Sequence, residues 1–436
     1  MKHPWKKMWL TGVALALAWL LGGCTAPSSA ESLFTLPRLP IEYTDLSRQI
    51  NELVEQGYEY ASPGSGRNIQ SVQMVDLDGD GDEEAVAFFR RSSDEKPLKI
   101  FIFRANDDIY ELLCTIESSG TGVDNVFYQD LTGDGKQELV VGWRISSEVQ
   151  TVAAYDILPE PTLLMQSGYV RYSIEELNGD GIPSLLIFRL NDEGSSVAEF
   201  YSWSSEKMSM TYSVNLSGTM AELSRGSVVS GRLTGLKPAV FVTGVTEENT
   251  ATTDIITYRE GQGLVNLAVN PQTGSSRLVF PYMQLRPQDI NHDGAIDIPC
   301  PHTNEEGQAI GLVDWVDFTA DGEESRIMTT YHDLAGGWYF VVPTDWRDSI
   351  QVSSTEHGIN EIQTTLLLDG DPVGALYTLT GENRENRAQR GNRFVLKRQT
   401  GTTYAAEIYA AGENYGLTED LMRQNFRLIS NQWTIG

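Results

Sequence analysis

The sequence predicts a mainly β protein: about five repeated units of four strands, followed by a small C-terminal α+β domain. Three observations carry this expectation. An acidic, glycine-rich stretch recurs along the chain. Runs rich in β-branched and aromatic residues flank its copies. No long helical period interrupts them. The copies read DLDGDGDEE (76–84), DLTGDGKQE (130–138), ELNGDGIPS (176–184) and DINHDGAID (289–297), with a worn copy in GRLTGLKPA (231–239). Starts at 76, 130, 176, 231 and 289 lie 54, 46, 55 and 58 residues apart. That period is close to the roughly 40–50 residues of a four-stranded propeller blade, so the fold class is a β-propeller of about five blades.

The elements follow in chain order. MKHPWKK carries positive charge ahead of a 14-residue apolar run, MWLTGVALALAWLL (8–21). Such a run is short for a membrane span and suits the core of a signal peptide. LGGC (21–24) follows, an aliphatic residue and two small ones before a cysteine. This resembles the lipobox of bacterial lipoproteins, in which cleavage falls before a cysteine that carries a diacylglyceryl group. The resemblance implies a signal peptide over 1–23, a lipidated Cys24 and a tether over 24–40. It implies an exported protein, facing outside the cytoplasm and held to the membrane by its acyl chains.

Residues 41–344 form the expected propeller. EYTDLSRQINELVEQGY (42–58) reads as an amphipathic helix with Leu46, Ile50, Leu53 and Val54 on one side. In the first unit, NIQSVQMV (68–75) and EAVAFF (84–89) read as strands. KIFIFRANDDIYELLCTI (99–116) reads as two more around an Asn-Asp-Asp turn. ELVVGW and TVAAYDI serve the second unit, SLLIF and VAEFYSW the third. GLVDWVDFTADGEESRIMTTY (311–331) reads as a hairpin with an Asp-Gly turn, and its acidic stretch falls out of phase with the repeat. Residues 345–436 read as the α+β domain. It has a surface loop over 381–393 and a closing helix over 417–430, with Thr418 as N-cap.

Of the 436 residues, 60 are acidic and 32 are Lys or Arg, a formal charge of −28. Such a surface argues against nucleic acid as a partner and against electrostatic docking on anionic lipid. Apart from Cys24, the cysteines are Cys114 and Cys300, with no CxxC pair for a zinc knuckle. A disulfide between them and two separate thiols both remain open.

DLDGDGDEEAV, DLTGDGKQELV and DINHDGAID resemble the FG-GAP or VCBS repeats of calcium-binding β-propellers, as in the integrin α-subunit head. The resemblance covers about residues 60–340. Calcium takes six to eight oxygens at about 2.3–2.6 Å, and alternate residues of a tight loop can aim them at one centre. In the first loop these are Asp76, Asp78, Asp80 and Glu84 with the carbonyl of Asp82. The second offers Asp130, Thr132, Asp134 and Glu138 with the carbonyl of Lys136. The fifth offers Asp289, Asn291, Asp293 and Asp297 with the carbonyl of Ala295. The third, weaker, offers Glu176, Asn178 and Asp180, with Ser184 in the last position. The fourth has Gly231, Leu233 and Gly235 and is expected to bind nothing. About three calcium sites follow.

No G-x-S-x-G, H-E-x-x-H or P-loop pattern occurs. CPH (300–302) places a thiol near an imidazole, and reads more simply as a strand end before a proline turn. The leading expectation is a lipid-anchored surface binding module for a protein, peptide or glycan. An enzyme built on the same scaffold and a purely structural envelope protein are the alternatives.

Overall fold

The computed structural model describes residues 43–106, 109–270, 272–304 and 307–429. The expected signal peptide, lipidated Cys24 and tether lie outside the described residues. The chain is mainly β, in six antiparallel sheets that follow one another in sequence.

The first sheet holds Val72–Val75, Glu84–Arg90, Leu98–Asn106 and Ile109–Ser118, with Glu59–Tyr60 added at Glu84–Arg90. The second holds Gly122–Gln129, Glu138–Arg144, Gln150–Asp156 and Thr162–Gly168. The third holds Arg171–Glu175, Ser184–Leu190, Ser196–Ser204 and Lys207–Asn215. The fourth holds Ser227–Arg232, Pro238–Val245, Thr250–Arg259 and Gly263–Asn266, with Val279–Pro281 added. The fifth runs Ile298–Thr303, Ala309–Phe318, Glu324–Asp333, Trp338–Val342 and then Phe426–Leu428. The sixth is built from Ile350–Glu356, Glu361–Leu368, Asp371–Thr380, Phe394–Gln399 and Thr402–Ile408.

Successive sheets pack face to face, and strand alternation explains how. Leu139 and Val141 face the first sheet, where they meet Val86, Phe88 and Ile100. Val140, between them, faces the third sheet and meets Leu185 and Ile187. Leu186 and Phe188 in turn meet Val240 and Val242 of the fourth. Phe241 and Ile255 meet Ile298 and Phe318 of the fifth. A strand buried on both faces has no polar side to show, which is why ELVVGW and SLLIF are continuous apolar runs. The outer face of the first sheet carries Ala85, Ala87, Phe89, Phe101 and Phe103. Leu46 and Ile50 of the helix Thr44–Glu55 cover it. Such clusters join each of the first five sheets to the next in sequence.

The 311–331 hairpin forms as its Asp-Gly turn suggests, with Phe318 opposite Glu324. Two elements of the C-terminal region differ from expectation. The last helix is Glu419–Asn425, capped by Thr418, whose side chain accepts from the Leu421 N–H. It stops early because Phe426 is drawn into the cluster of Trp338 and Tyr404, and 426–428 then pairs as a strand with Trp338–Val342. Within the 381–393 loop, Arg384–Arg387 forms a single helical turn. No helix among the described residues is long and apolar enough to cross a membrane.

Candidate metal centre

Each acidic loop bridges two paired backbone positions: Val75 with Glu84, Gln129 with Glu138, Glu175 with Ser184, and Gln288 with Asp297. The loop's second residue is apolar and turned inward: Leu77, Leu131, Leu177 and Ile290 are all buried. Its last carboxylate starts the next strand and is also buried, with Glu84 and Glu138 each 1% exposed and Asp297 fully covered.

These two buried positions are tied together. The Leu77 N–H donates to Glu84 Oε2 at 2.9 Å, Leu131 N–H to Glu138 Oε2 at 2.5 Å, and Ile290 N–H to Asp297 Oδ2 at 3.1 Å. The first-position aspartate holds the turn from its other end. Asp76 accepts from Gly79 at 2.7 Å and Gly81 at 3.0 Å; Asp130 accepts from Gly133 at 2.6 Å and Gly135 at 2.9 Å. Asp289 accepts from Asp293 and Gly294, both at 3.0 Å. The turn needs positive φ at its fourth residue, supplied by Gly79 (75°) and Gly133 (78°), and in the fifth loop by His292 (63°), a conformation a Cβ disfavours.

The loops differ in how their oxygens gather. Ligand atoms of Asp76, Asp78 and Glu84 lie within 4.8 Å of one another, the one such acidic group among the described residues. Two oxygens across a calcium ion stand at most about 4.6–5.2 Å apart, so the trio fits that ion. Asp80 and Asp82 stay outside the trio, Asp80 accepting from the Asp82 N–H at 2.8 Å. In the second loop Asp134 accepts from the Lys136 N–H at 3.0 Å, and Lys136 Nζ lies 3.3 Å from its Oδ2. Those contacts hold the Asp134 carboxyl below its usual range, the backbone N–H contributing most. Thr132 gives its N–H to Glu138 Oε2 at 3.2 Å. In the fifth loop Asn291 donates to Asp293 Oδ2 at 2.7 Å, and Asp293 Oδ1 accepts from Ala295.

Burial pushes the Glu138 carboxyl up to about 7, with Asp130, Asp134 and Asp156 adding to the rise. Burial does the same to Asp297, also to about 7, with Asp293, Asp317 and Asp289 as the charged neighbours. Glu84 is raised by burial too, but Arg104 opposes the rise. Asp297 Oδ1 is buried without a hydrogen-bond partner. A covered carboxylate with a spare oxygen asks for a proton or a cation, and the oxygen-only donor set suits a hard divalent ion.

The third loop is poorer. Glu176 accepts from Gly179 at 2.5 Å, and Asn178 Nδ2 donates to Asp180 at 2.6 Å. Ser184 fills the buried last position, and its hydroxyl and Asn178 Oδ1 have no hydrogen-bond partner. In the fourth unit Gly231 lies inside the strand Ser227–Arg232, and Arg232 pairs directly with Pro238. The loop there is 233–237, closed by Leu233 N–H to Lys237 O at 2.8 Å. It is shorter than the other acidic loops and holds no carboxylate.

Neighbouring loops touch. Gln137 N–H donates to Leu77 O at 2.8 Å, and Ile296 N–H to Arg232 O at 2.8 Å. Three residues beside the loops escaped the sequence reading: Arg104, Asp156 and Asp317. Each sits on the strand paired with the one that follows the loop, where only hairpin register brings it to the loop.

Cys114 and Cys300 are both free thiols. Burial pushes Cys300 up to about 12, so it stays protonated. His302 is engaged through Nδ1 with Asp314 Oδ2 at 3.0 Å, and Arg347 holds the same oxygen at 2.7 Å. Two clefts open where the fourth and fifth sheets meet. One of about 510 Å³ is lined by Arg259, Asn266, Asn270, Gln272, Arg277 and Asp321. The other, about 430 Å³, shares Arg277 and adds Phe280, Asp314, Glu324 and Arg326.

No family model matches the chain. No curated protein matches it either. Among solved structures it is similar to a hypothetical protein from Leishmania major, at 13% identity and a TM-score of 0.23, over 66% of this chain and 96% of that one. It is similar to an exo-β-1,3-galactanase from Phanerochaete chrysosporium at 9% identity and TM-score 0.28, over 78% and 82% of the two chains. It is similar to the SapL1 lectin, solved with alpha methyl fucoside, at 9% identity and TM-score 0.27, over 74% and 95%. Likenesses this low define neither a shared site nor a shared chemistry.

Proposed function

We propose that this chain is a lipid-anchored binding module of the bacterial cell surface: propeller-type sheets stapled by calcium, offering the clefts between its fourth and fifth sheets to a glycan. One observation carries the calcium reading. Three loops repeat the same half-built site, a buried carboxylate tied to the backbone N–H seven residues earlier. Asp76, Asp78 and Glu84 would hold the ion in the first loop. Asp130, Thr132, Asp134 and Glu138 would do so in the second, and Asp289, Asn291, Asp293 and Asp297 in the fifth. Bound calcium supplies the positive charge that these crowded carboxylates lack. The chain's own residues set the loop shape and hold the paired strands in register.

The cleft lining supports a hydroxyl-rich ligand. Asn270, Gln272 and Asp321 present hydrogen-bonding groups at an open surface, and the neighbouring cleft adds the ring of Phe280. A peptide or protein ligand would instead show itself as failure on glycans and success on a peptide library.

The test is thermal unfolding of the full chain in millimolar calcium and then in chelator, beside a triple variant, Asp78→Ala, Asp134→Ala and Asp293→Ala. A calcium-dependent rise in Tm that the triple variant lacks is the expected result. Identical Tm with and without calcium would sink the staple reading. Glycan-array binding of the full chain, compared with Gln272→Ala and Asp321→Ala, tests the cleft. Binding unchanged in both variants would move the ligand elsewhere.

A further inference from the structure

In each of the three loop units the last carboxylate stands at the start of the strand that follows the loop, so register decides what faces it from the next strand in sequence. The pairs Ala85–Phe103, Leu139–Tyr155 and Ile298–Val316 are antiparallel. One residue further along, that register sets Arg104 opposite Glu84, Asp156 opposite Glu138, and Asp317 opposite Asp297. Directly opposed residues lie on the same face of a sheet and interact. The facing residue is therefore a cation in the first loop and a carboxylate in the second and fifth.

The contacts bear this out. Arg104 Nη2 lies 3.2 Å from Asp78 Oδ2, and its Nε lies 3.8 Å from Glu84 Oε1. A guanidinium between two carboxylates explains why the first loop's acids are the ones that draw together. The fifth loop has the opposite environment. Asp317 is 6% exposed and accepts from the Thr234 hydroxyl. It faces Asp297, whose Oδ1 is buried and has no hydrogen-bond partner. Two covered carboxylates side by side destabilise each other unless positive charge lies between them. In the second loop Asp156 stands between these cases, because the Leu158 N–H already occupies its Oδ1 at 3.0 Å.

We propose that the residue facing the last loop carboxylate sets each loop's demand for a divalent cation. Arg104 serves the first loop as an internal cation and weakens its hold on metal. Asp317 adds a carboxylate to the fifth loop and makes it the tightest of the three. The inference rests on the calcium reading of the loops.

The experiment is calorimetric titration of the full chain with calcium alone, as wild type, Arg104→Gln and Asp317→Asn. Calcium sites are tuned over orders of magnitude by the number of ligand charges. On that scale Arg104→Gln tightens the weakest site about tenfold or more, and Asp317→Asn loosens the tightest by as much. Metal-free Tm moves the other way, falling in Arg104→Gln and rising in Asp317→Asn. A merely structural role would shift binding and metal-free Tm in the same direction. Either variant alone decides the matter if the other fails to fold, and Arg104→Lys, which keeps the charge, serves as the binding control. Wild-type binding with isotherms unchanged in both variants overturns this inference and leaves the calcium reading standing. A wild-type chain that takes up no calcium overturns both.

Discussion

The backbone N–H of Leu131 donates to Glu138 Oε2 at 2.5 Å, reaching across a loop to the first residue of the next strand. Both ends of that bond are buried. The loop is therefore held shut at its base by a carboxylate that also faces its acidic interior. Glu138→Gln keeps an oxygen for the N–H and removes the charge. Metal-free stability should stay level or rise, while the rise in Tm that the proposed calcium site predicts should shrink. Glu138→Ala leaves the N–H without a partner and should cost about 1–3 kcal/mol even in chelator. Urea unfolding in chelator, with and without added calcium, reads both.

Phe426 packs at a tilt against Trp338, with ring centroids 5.4 Å apart, and against Tyr404 at 5.3 Å. It is 1% exposed and belongs to the cluster shared by the fifth and sixth sheets. Phe426→Ala should lower unfolding free energy by about 3–5 kcal/mol, as large core truncations do. Near-ultraviolet circular dichroism should lose part of its tryptophan signal in the same variant, because Trp338 loses its neighbour.

His332 stacks on Tyr339 at 5.1 Å, and burial pushes its pKa down from 6.5 to about 4. The sign follows from proton counting. Between those values the unfolded chain binds a proton that the folded chain refuses, so stability is full above about 6.5 and falls as pH drops toward 4. The slope contributed by this one group is about 1.4 kcal/mol per pH unit. Urea unfolding at pH 7, 6 and 5 should show it, and His332→Gln should lose that share of the slope. An unchanged slope would mean that the ring takes its proton in the folded state.

Cys24 lies outside the described residues, and the lipidation proposed for it is tested by labelling. Bacterial cells fed an alkyne fatty acid should label the wild-type chain. Cys24→Ala should lose the label and leave the membrane fraction. A labelled Cys24→Ala chain would place the acyl group on another residue.

How much of this was legible in the sequence depended on distance along the chain. The acidic loops and their strands were readable because the alternating carboxylates, the glycine turn at Gly79 and its counterparts, and the following apolar run lie within about a dozen residues. The fourth unit was started two residues early, since nothing local marks that Gly231 and Arg232 stay in their strand and the loop begins at Leu233. The last helix was overextended because Phe426 and Ile429 continue its periodicity, whereas Trp338, almost ninety residues away, decides that 426–428 is a strand. Arg104, Asp156 and Asp317 were invisible for a related reason. Which residue faces a loop carboxylate depends on the length of the hairpin in between, and charge alone does not mark it.

The pairing of Trp338–Val342 with Phe426–Leu428 makes these two strands antiparallel neighbours, about 5 Å apart in their sheet. Everything between them, the whole sixth sheet included, is thus a guest lodged in a hairpin, entering and leaving by adjacent doors. A segment with such an address can be exchanged for another without re-threading its host. The condition is that the newcomer brings an apolar face to cover Trp338 and Phe340, which the present occupant covers with Leu366 and Leu376.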